Sequence, residues 1–404
     1  MKIGIYGGTF DPIHRGHMAA AQTTAKLLEL DKLLLIPAGI PPHKHKSSGG
    51  ANGTQRMEMT SIAADRLGLK IPVEVLDLEL KREGKSYTSD TLRELRKQYP
   101  KDELWLLMGT DMFLTLQNWH EPKTIMKLAK ICAFGRTESD GEELFAPQRD
   151  YLASEFGAAV TTITLPGLVD ISSTRLRTRL AAGERPEELD ESVYGYILRH
   201  GLYGTHADLK HLGWEDLRAC SYSMIRAKRI PHVRGCEQEA VKLAARWGEN
   251  EDDARAAAIL HDCTKYLDLE EQLSLCEKYG IILDDLEKVA VKLLHSKTGS
   301  AIARYEYGMP DRVCEAICWH TTGKPDMTKL EKILYIADYM EPTRDFDGVE
   351  KLRALVYEDL DAAVRLGLEM SVEELTERGV PVHPNTAEAL RFLTKGEWQW
   401  SIPL

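Results

Sequence analysis

The sequence predicts an α/β domain built on a parallel sheet, followed by an all-α bundle, and two observations carry that prediction. Through the first 200 residues, short apolar strand patterns alternate with helical ones, the order that a parallel sheet with crossover helices requires. Beyond about Tyr203, strand patterns nearly vanish and amphipathic helical patterns follow one another. At 404 residues the chain has room for two or three domains, each with its own core. The shift places a boundary near Gly201–Asp208, giving one domain over 1–203, a linker over 204–211 and a second domain over 212–404.

Strand patterns fall at Lys2–Tyr6, Lys32–Pro37, Val73–Leu78, Glu103–Met108, Ile131–Phe134 and Thr161–Leu165. Helical patterns between them include Thr54–Leu67, Thr88–Gln98 and Ser172–Ala182. Gly39–Gly53, with its Pro-Pro pair and Ser-Ser-Gly-Gly run, reads as a long, mobile loop. In the second half, helices are expected at Trp214–Arg229, Glu237–Trp247, Asp252–Tyr266, Leu269–Tyr279, Asp284–His295, Thr298–Tyr305, Asp311–His320, Thr328–Tyr339 and Gly348–Leu366.

Composition narrows the class. No apolar run approaches the roughly 18 residues of a membrane helix. The chain enters a strand at once, so neither signal nor transit peptide is expected. Seven scattered cysteines without a Cys-x-x-Cys pair point to reduced thiols and a cytoplasmic location, with Cys314 and Cys318 read as packing. Residues 1–200 carry 26 Lys and Arg against 27 Asp and Glu, and the remainder carries 26 against 36. An acidic second half argues against duplex nucleic acid, while a small phosphate-rich ligand with its cations stays compatible. A homo-oligomer is left open.

The chemistry of the first half starts at Gly7-Gly-Thr-Phe-Asp-Pro-Ile-His-Arg-Gly-His17, directly after the first strand. Gly7 and Gly8 let the backbone approach phosphates, Thr9 and Phe10 continue the same expected ATP-binding turn, and the helix that opens next offers free N–H groups to an anion. His14 and His17, three residues apart, share one helical face. No Gly-Lys-Ser/Thr follows, so this is not a P-loop. Lys44 lies in Pro41-Pro-His-Lys44 on the long loop. Ser86-Tyr-Thr-Ser-Asp-Thr-Leu92 opens a helix, with Thr88 or Ser89 as the expected cap. Ile171-Ser-Ser-Thr-Arg-Leu-Arg177 opens another, whose Ser172, Ser173 and Thr174 hydroxyls and Arg177 make an anion site. Two such helix starts suit two phosphorylated substrates meeting, or one long polyphosphate. Attack of one phosphate on another needs no protein nucleophile, only alignment and charge stabilisation, a role that suits His14, His17, Lys44 and Arg177. Trp119 reads either as a stacking surface or as a core anchor, and Trp105 as core.

In the second half, His232, His261-Asp262, His295, His320 and Asp338 recur on successive helices. Buried imidazoles and carboxylates are costly unless paired or bound to metal, and mixed N and O ligands suit iron, manganese or zinc. Lys265, one turn beyond His261, reaches toward phosphate. His200, His206 and His211 read as solvated.

The first-half strings resemble the nucleotidyltransferases with a His-x-Gly-His signature, and within them the bacterial nicotinate-nucleotide adenylyltransferases, over about residues 1–200. Gly-Gly-Thr-Phe-Asp-Pro-Ile-His-x-Gly-His and Ser-Tyr-Thr-x-Asp-Thr-Leu fit in full. Ile-Ser-Ser-Thr-x-Leu-Arg differs only at Leu176, where Ile is common. The resemblance implies a Rossmann-like domain that joins ATP, with magnesium, to nicotinate mononucleotide. It implies that Trp119 stacks on the pyridine ring and that the Tyr87-Thr88 backbone meets its carboxylate. Met108–Trp119 looks like the family's strand-to-helix segment, which brings Asp111 to the same mononucleotide.

The second-half strings resemble the HD-domain phosphohydrolases, and within them the YqeK-type family that cuts diadenosine tetraphosphate into two ADP, over about residues 212–395. The matching strings are His232, His261-Asp-x-x-Lys265, His295, His320-Thr321, Ala337-Asp-Tyr-Met-Glu-Pro-Thr-Arg344 and Val382-His-Pro-Asn-Thr386. The resemblance implies an HD-domain helical bundle with His232, His261, Asp262 and Asp338 on a metal, iron first. His295 and His320 then complete a second metal position or contact phosphate. Arg229, Lys265, Thr321, Arg344 and Thr386 are implied to hold nucleotide, and His383, within the last string, reads equally well as an ordinary cap or turn residue. A non-hydrolytic nucleotide sensor and a phosphatase of other nucleotides are the rival readings of this half.

Overall fold

In the computed structural model, which describes residues 1–39, 50–135, 140–164, 171–288 and 290–395, six strands make one parallel sheet in the first half. They are β1 (Lys2–Gly8), β2 (Lys32–Pro37), β3 (Val73–Val75), β4 (Glu103–Gly109), β5 (Lys130–Phe134) and β6 (Val160–Ile163), in the order β3-β2-β1-β4-β5-β6. Both neighbours of β1 run parallel to it, with Gly8 beside Pro37 of β2 and Tyr6 beside Leu107 of β4. The chain therefore reverses its direction of winding at β1. A crevice opens beyond the carboxyl ends of β1 and β4, where open α/β sheets bind ligands. This is the expected Rossmann-like architecture. Leu165, Lys44 and the Pro41-Pro-His stretch of the expected loop lie outside the described residues.

The four central strands β1, β2, β4 and β5 are largely buried on both faces, as covered parallel strands must be, while the edge strands β3 and β6 are half-buried. Ile3, Ile5, Leu34, Ile36, Leu104, Leu106 and Ile131 form the centre of the core. Trp105 departs from expectation. It is half-buried, with Lys130 Nζ 5.2 Å above its ring, because that position faces out of the central cluster.

The chain divides into two compact units, residues 1–207 and 208–404. All described strands belong to the first, and the second is helical. Several helix limits differ from the sequence reading, each for a local reason. The expected helix Trp214–Arg229 stops at Tyr222, and the next runs Ile230–Trp247, because Pro231 starts a helix well and continues one badly. His232 is thus helical. Val291–Tyr305 is one helix where two were expected, since nothing at Ser296–Lys297 breaks it. Gly348–Leu366 is two helices, Val349–Leu355 and Leu360–Glu377, with Asp359 capping the second through Ala362 N. Pro384–Leu393 is a further helix. Leu269–Tyr279 and the start of Lys329–Met340 follow the reading because Asp268 with Glu271, and Thr328 with Glu331, form capping boxes. All seven cysteines are free thiols, six of them buried and Cys318 half-buried. Among the described residues, no helix is long and apolar enough to cross a membrane.

Candidate functional site

At the carboxyl end of β1 the chain turns through Thr9–Ile13 and enters the helix Arg15–Leu27, with His14 as its N-cap. The backbone N–H of His14 donates to His17 Nδ1 at 3.3 Å. That bond places the proton of a neutral His17 on Nε2. The two imidazoles stack with centroids 3.7 Å apart. Gly16 permits this stacking, because a Cβ there would sit 3.1 Å from His14 Nδ1.

The second anion-binding helix start meets the first. Ser172 caps Ser173–Ala181, Ser173 Oγ donates to Pro12 O at 3.3 Å, and Arg177 Nη1 donates to Asp11 O at 2.7 Å. Arg175 is exposed, as a solvated helix charge would be.

Both helix starts line a single cleft of about 1600 Å³, larger than the roughly 300–1,000 Å³ of an ordinary one-ligand pocket. Gly7, Gly8, Thr9, Phe10, His14, His17, Ser172, Ser173, Thr174 and Arg177 line it, and so do Tyr87, Thr88, Asp111 and Trp119. Lys44 lies outside the described residues. The cap of the helix Thr88–Gln98 is Tyr87, one residue before the expected Thr88 or Ser89, because Tyr87 is the last residue with extended backbone. Its ring lies 4.2 Å from that of His120. Asp111 is exposed on the short helix that follows β4. Trp119 both packs on the core cluster and lines the cleft, so its two readings coexist in one ring.

Three cleft residues escape sequence reasoning. Arg56, 8% exposed, donates to Thr9 O at 2.7 Å. Burial lowers its pKa while Asp11 works in the other direction. Arg82 donates to Ser86 Oγ at 2.6 Å and braces the turn before Tyr87. Asp11 gathers bonds from distant parts of the unit, including the hydroxyl of Tyr203.

In the helical unit, His232, His261, Asp262, His295, His320 and Asp338 come together. His261 and His320 cap the ends of Glu251–Leu260 and Asp311–Trp319, while His232, His295 and Asp338 project from Ile230–Trp247, Val291–Tyr305 and Lys329–Met340. The helix Leu269–Tyr279 supplies no ligand, contrary to the reading of one on each successive helix. Its Gln272 instead donates to Thr264 O at 2.6 Å and accepts from Thr298 Oγ1 at 2.6 Å, tying the His261 turn to the His295 helix.

The imidazoles are oriented alike. Nδ1 of His261, His295 and His320 lies 2.7, 2.7 and 2.6 Å from the carbonyls of Ala258, Lys292 and Ile317. His232 Nδ1 lies 2.9 Å from Glu341 Oε1. Carbonyl and carboxylate oxygens only accept, so each Nδ1 carries a proton and each neutral ring turns its Nε2 lone pair inward. There His232 Nε2 stands 3.3 Å from His261 Nε2 and 2.9 Å from Asp338 Oδ1. Lone pairs facing one another at such distances repel unless a proton or a cation lies between them. The donor set therefore fits a divalent metal.

Electrostatics agree. Burial lowers the His261 pKa, but Asp262 and Asp338 outweigh it and raise it to about 9, the response of a cluster that wants a positive charge. Burial, then His295 and His261, keep His320 neutral. Burial alone would raise Asp262, yet His261, His295 and Lys265 hold it well below the usual carboxylate range.

Three cations ring the cluster. Arg229 Nε and Lys265 Nζ reach Asp262 at 2.5 and 2.9 Å, and Arg344 Nη2 reaches Asp338 at 3.0 Å. Thr321 Oγ1 lies 3.3 Å from His320 Nε2. Thr386 spends its hydroxyl proton on Thr322 O at 2.8 Å. His383 caps its helix by accepting from Asn385 N, which puts its proton on Nε2 facing Asp284 at 2.9 Å. Glu341 is the residue missed. It is fully buried, and a Cβ at Gly235 would meet its Oε2 at 2.4 Å, so only glycine lets the His232 helix come this close.

Comparison with known proteins divides the chain in the same way. A cytidylyltransferase-like family model matches residues 5–179, and an HD-domain model matches 229–343. The probable nicotinate-nucleotide adenylyltransferase of Clostridium tetani is 34% identical over 203 residues, 50% of this chain and 98% of its own length. That of Shewanella sp. strain MR-7 is 38% identical over 217 residues, covering 50% and 99%. A solved structure, a predicted HD superfamily hydrolase involved in NAD metabolism from Clostridium acetobutylicum, is 35% identical with a TM-score of 0.44, over 46% of this chain and 98% of that one.

Proposed function

The first half of the chain belongs to the nicotinate-nucleotide adenylyltransferase family, and from that membership we propose that residues 1–203 join ATP, with magnesium, to nicotinate mononucleotide. The products are deamido-NAD and pyrophosphate. The observation that carries this reading is the meeting of two anion-binding helix starts in one cleft large enough for two nucleotides. The mononucleotide phosphate is already an anion and attacks the α-phosphorus of ATP in line. A new P–O bond forms to it, and the bond to the departing pyrophosphate breaks. His17 Nε2–H, His14, Lys44 and Arg177 stabilise charge on the phosphorus oxygens, and Gly7–Phe10 and Ser172–Thr174 cradle the triphosphate. Tyr87, Thr88, Asp111 and Trp119 bind the mononucleotide.

For the HD domain we propose symmetrical hydrolysis of diadenosine tetraphosphate to two ADP. The inward-facing Nε2 atoms support it. His232, His261, Asp262 and Asp338 hold the cation, iron in preference to manganese or zinc, and His295 and His320 complete a second position or meet phosphate. A cation so held supplies Lewis-acid chemistry and activated water at neutral pH. Arg229, Lys265, Arg344 and Thr321 hold one ADP moiety, leaving the central bridge at the cluster, while Thr386, its donors spent on Thr322 O and His383 O, is a brace rather than the expected nucleotide contact. Water adds to one central phosphorus as the bridging P–O bond breaks.

The full-length protein tests both readings. Incubated with ATP and nicotinate mononucleotide it forms deamido-NAD, and incubated with diadenosine tetraphosphate and a divalent metal it forms ADP alone. Absence of deamido-NAD overturns the first reading, and ATP plus AMP as products overturns the second.

A further inference from the structure

We propose that Tyr203 is a positioning residue for adenylyl transfer, holding the Asp11 carboxylate so that the Arg177 guanidinium stays available to the cleft; the proposal rests on the transfer reading above.

Tyr203 lies 192 residues from Asp11 in sequence, yet its hydroxyl donates to Asp11 Oδ1 at 2.8 Å. The tyrosine is buried, and its φ of 58° lies in the left-handed region that residues with a side chain rarely adopt. Such strain persists where the surroundings hold it, and it clusters at functional sites. Burial, then the Asp11 charge, raises the Tyr203 pKa, so the phenol remains a donor at neutral pH.

Asp11 sits on the turn between β1 and the His14 helix and is 9% exposed. Its Oδ1 also accepts from Ala51 N at 3.1 Å. Its main-chain oxygen accepts from Arg177 Nη1 at 2.7 Å, while Oδ2 stands 3.9 Å from the same nitrogen. The carboxylate is therefore satisfied largely by two neutral donors, one of them the phenol, and its ion pair with Arg177 is long. Removing the phenol hydroxyl leaves a buried anion short of a donor; among the described residues the cation in ion-pair range is Arg177, while Arg56, which also feels the Asp11 charge, is held on Thr9 O. Closing from 3.9 Å would draw the guanidinium onto Asp11 and away from the phosphates. A residue near the end of the first unit thereby sets the charge at its catalytic turn.

The test is Tyr203→Phe in the full-length protein, assayed with ATP and nicotinate mononucleotide. Displacement of a phosphate-stabilising group should lower kcat about tenfold to a hundredfold, with both KM values within about twofold because ground-state binding is retained. In an Arg177→Ala background, the same change should alter kcat by less than about twofold, since the group being positioned is gone. Adding Asp11→Asn to Tyr203→Phe removes the charge that draws Arg177 and should restore kcat at least about threefold. Should Tyr203→Phe not fold, the double variant is compared with Asp11→Asn alone, and with the drawing charge gone the two should turn over within about twofold of each other, a larger gap overturning the proposal. An unchanged kcat in Tyr203→Phe, or an equal loss with and without Arg177, overturns the proposal. A parent protein that forms no deamido-NAD overturns the transfer reading instead.

Discussion

The Nε2 atoms of His295 and His320 stand 3.2 Å apart, each on a ring whose Nδ1 is committed to a backbone carbonyl. Two inward lone pairs at that distance ask for a positive charge between them. A divalent cation at a hundredfold excess over its Kd should therefore stabilise the helical unit by about 3 kcal/mol. Calorimetry with and without a chelator measures this. An unfolding profile indifferent to both would mean that a proton, not a metal, bridges the rings.

Asp262 touches Arg229, Lys265 and the rings of His261 and His295. Asp262→Ala should lose bound metal and hydrolysis of diadenosine tetraphosphate together. Deamido-NAD formation should stay within about twofold, because Asp262 and the residues of the cleft belong to different compact units. Elemental analysis beside the two assays checks this, and retained hydrolysis without metal would refute it. In heavy-oxygen water, the parent should place label in one of every two ADP molecules.

Glu341 acts on the metal through His232. Its carboxylate fixes the proton on Nδ1 and turns Nε2 inward. Glu341→Gln keeps the shape but weakens that hold, and metal affinity should fall about 10- to 100-fold. Competition against a chromophoric chelator gives the number. An affinity equal to that of the parent would reduce Glu341 to a helix-end brace for Thr343, whose backbone N–H also donates to it.

What is legible in the sequence is what neighbouring residues decide. The Gly7–His17 turn and the helix opening at Ser173 are contiguous strings whose capping and glycine chemistry act within a few residues. The sheet is legible from its apolar central strands, buried on both faces. What escapes is made by contacts across the chain. Glu341 reaches His232 across 109 positions, Tyr203 reaches Asp11 across 192, and Arg56 reaches Thr9 across 47. No local pattern marks a tyrosine as a donor to a remote carboxylate, or a helix arginine as buried. The merged helix Val291–Tyr305 escapes for a different reason: its polar His295, Ser296 and Lys297 look like a break, but His295 and Ser296 are buried in the bundle.

His17 carries its proton on Nε2 because Nδ1 accepts from His14 N. Removing that donor takes charge stabilisation from the phosphorus oxygens. His17→Ala should lower kcat for deamido-NAD formation by at least about a hundredfold, with a smaller change in KM. Steady-state kinetics decide it, and near-normal turnover would remove His17 from the reaction.

Trp119 faces two ways, and its variants separate the two duties. It packs beside the core cluster of Phe113, Leu116 and Ile125, and it also lines the cleft near Tyr87. A base stacked on an aromatic ring gains about 1–3 kcal/mol, or roughly fivefold to over a hundredfold in affinity. Trp119→Ala removes both ring and packing, so it should weaken nicotinate mononucleotide binding by that factor and lower the unfolding midpoint as well. Trp119→Leu keeps an apolar side chain on the core but offers no flat face. It should recover most of the midpoint while retaining the loss of mononucleotide affinity, and ATP binding should stay within about twofold in both, because the helix starts at His14 and Ser173 are untouched. Isothermal titration with each substrate, set beside thermal unfolding, reads the split. If Trp119→Leu restores mononucleotide binding along with stability, the ring is an anchor only and the pyridine is held by other groups.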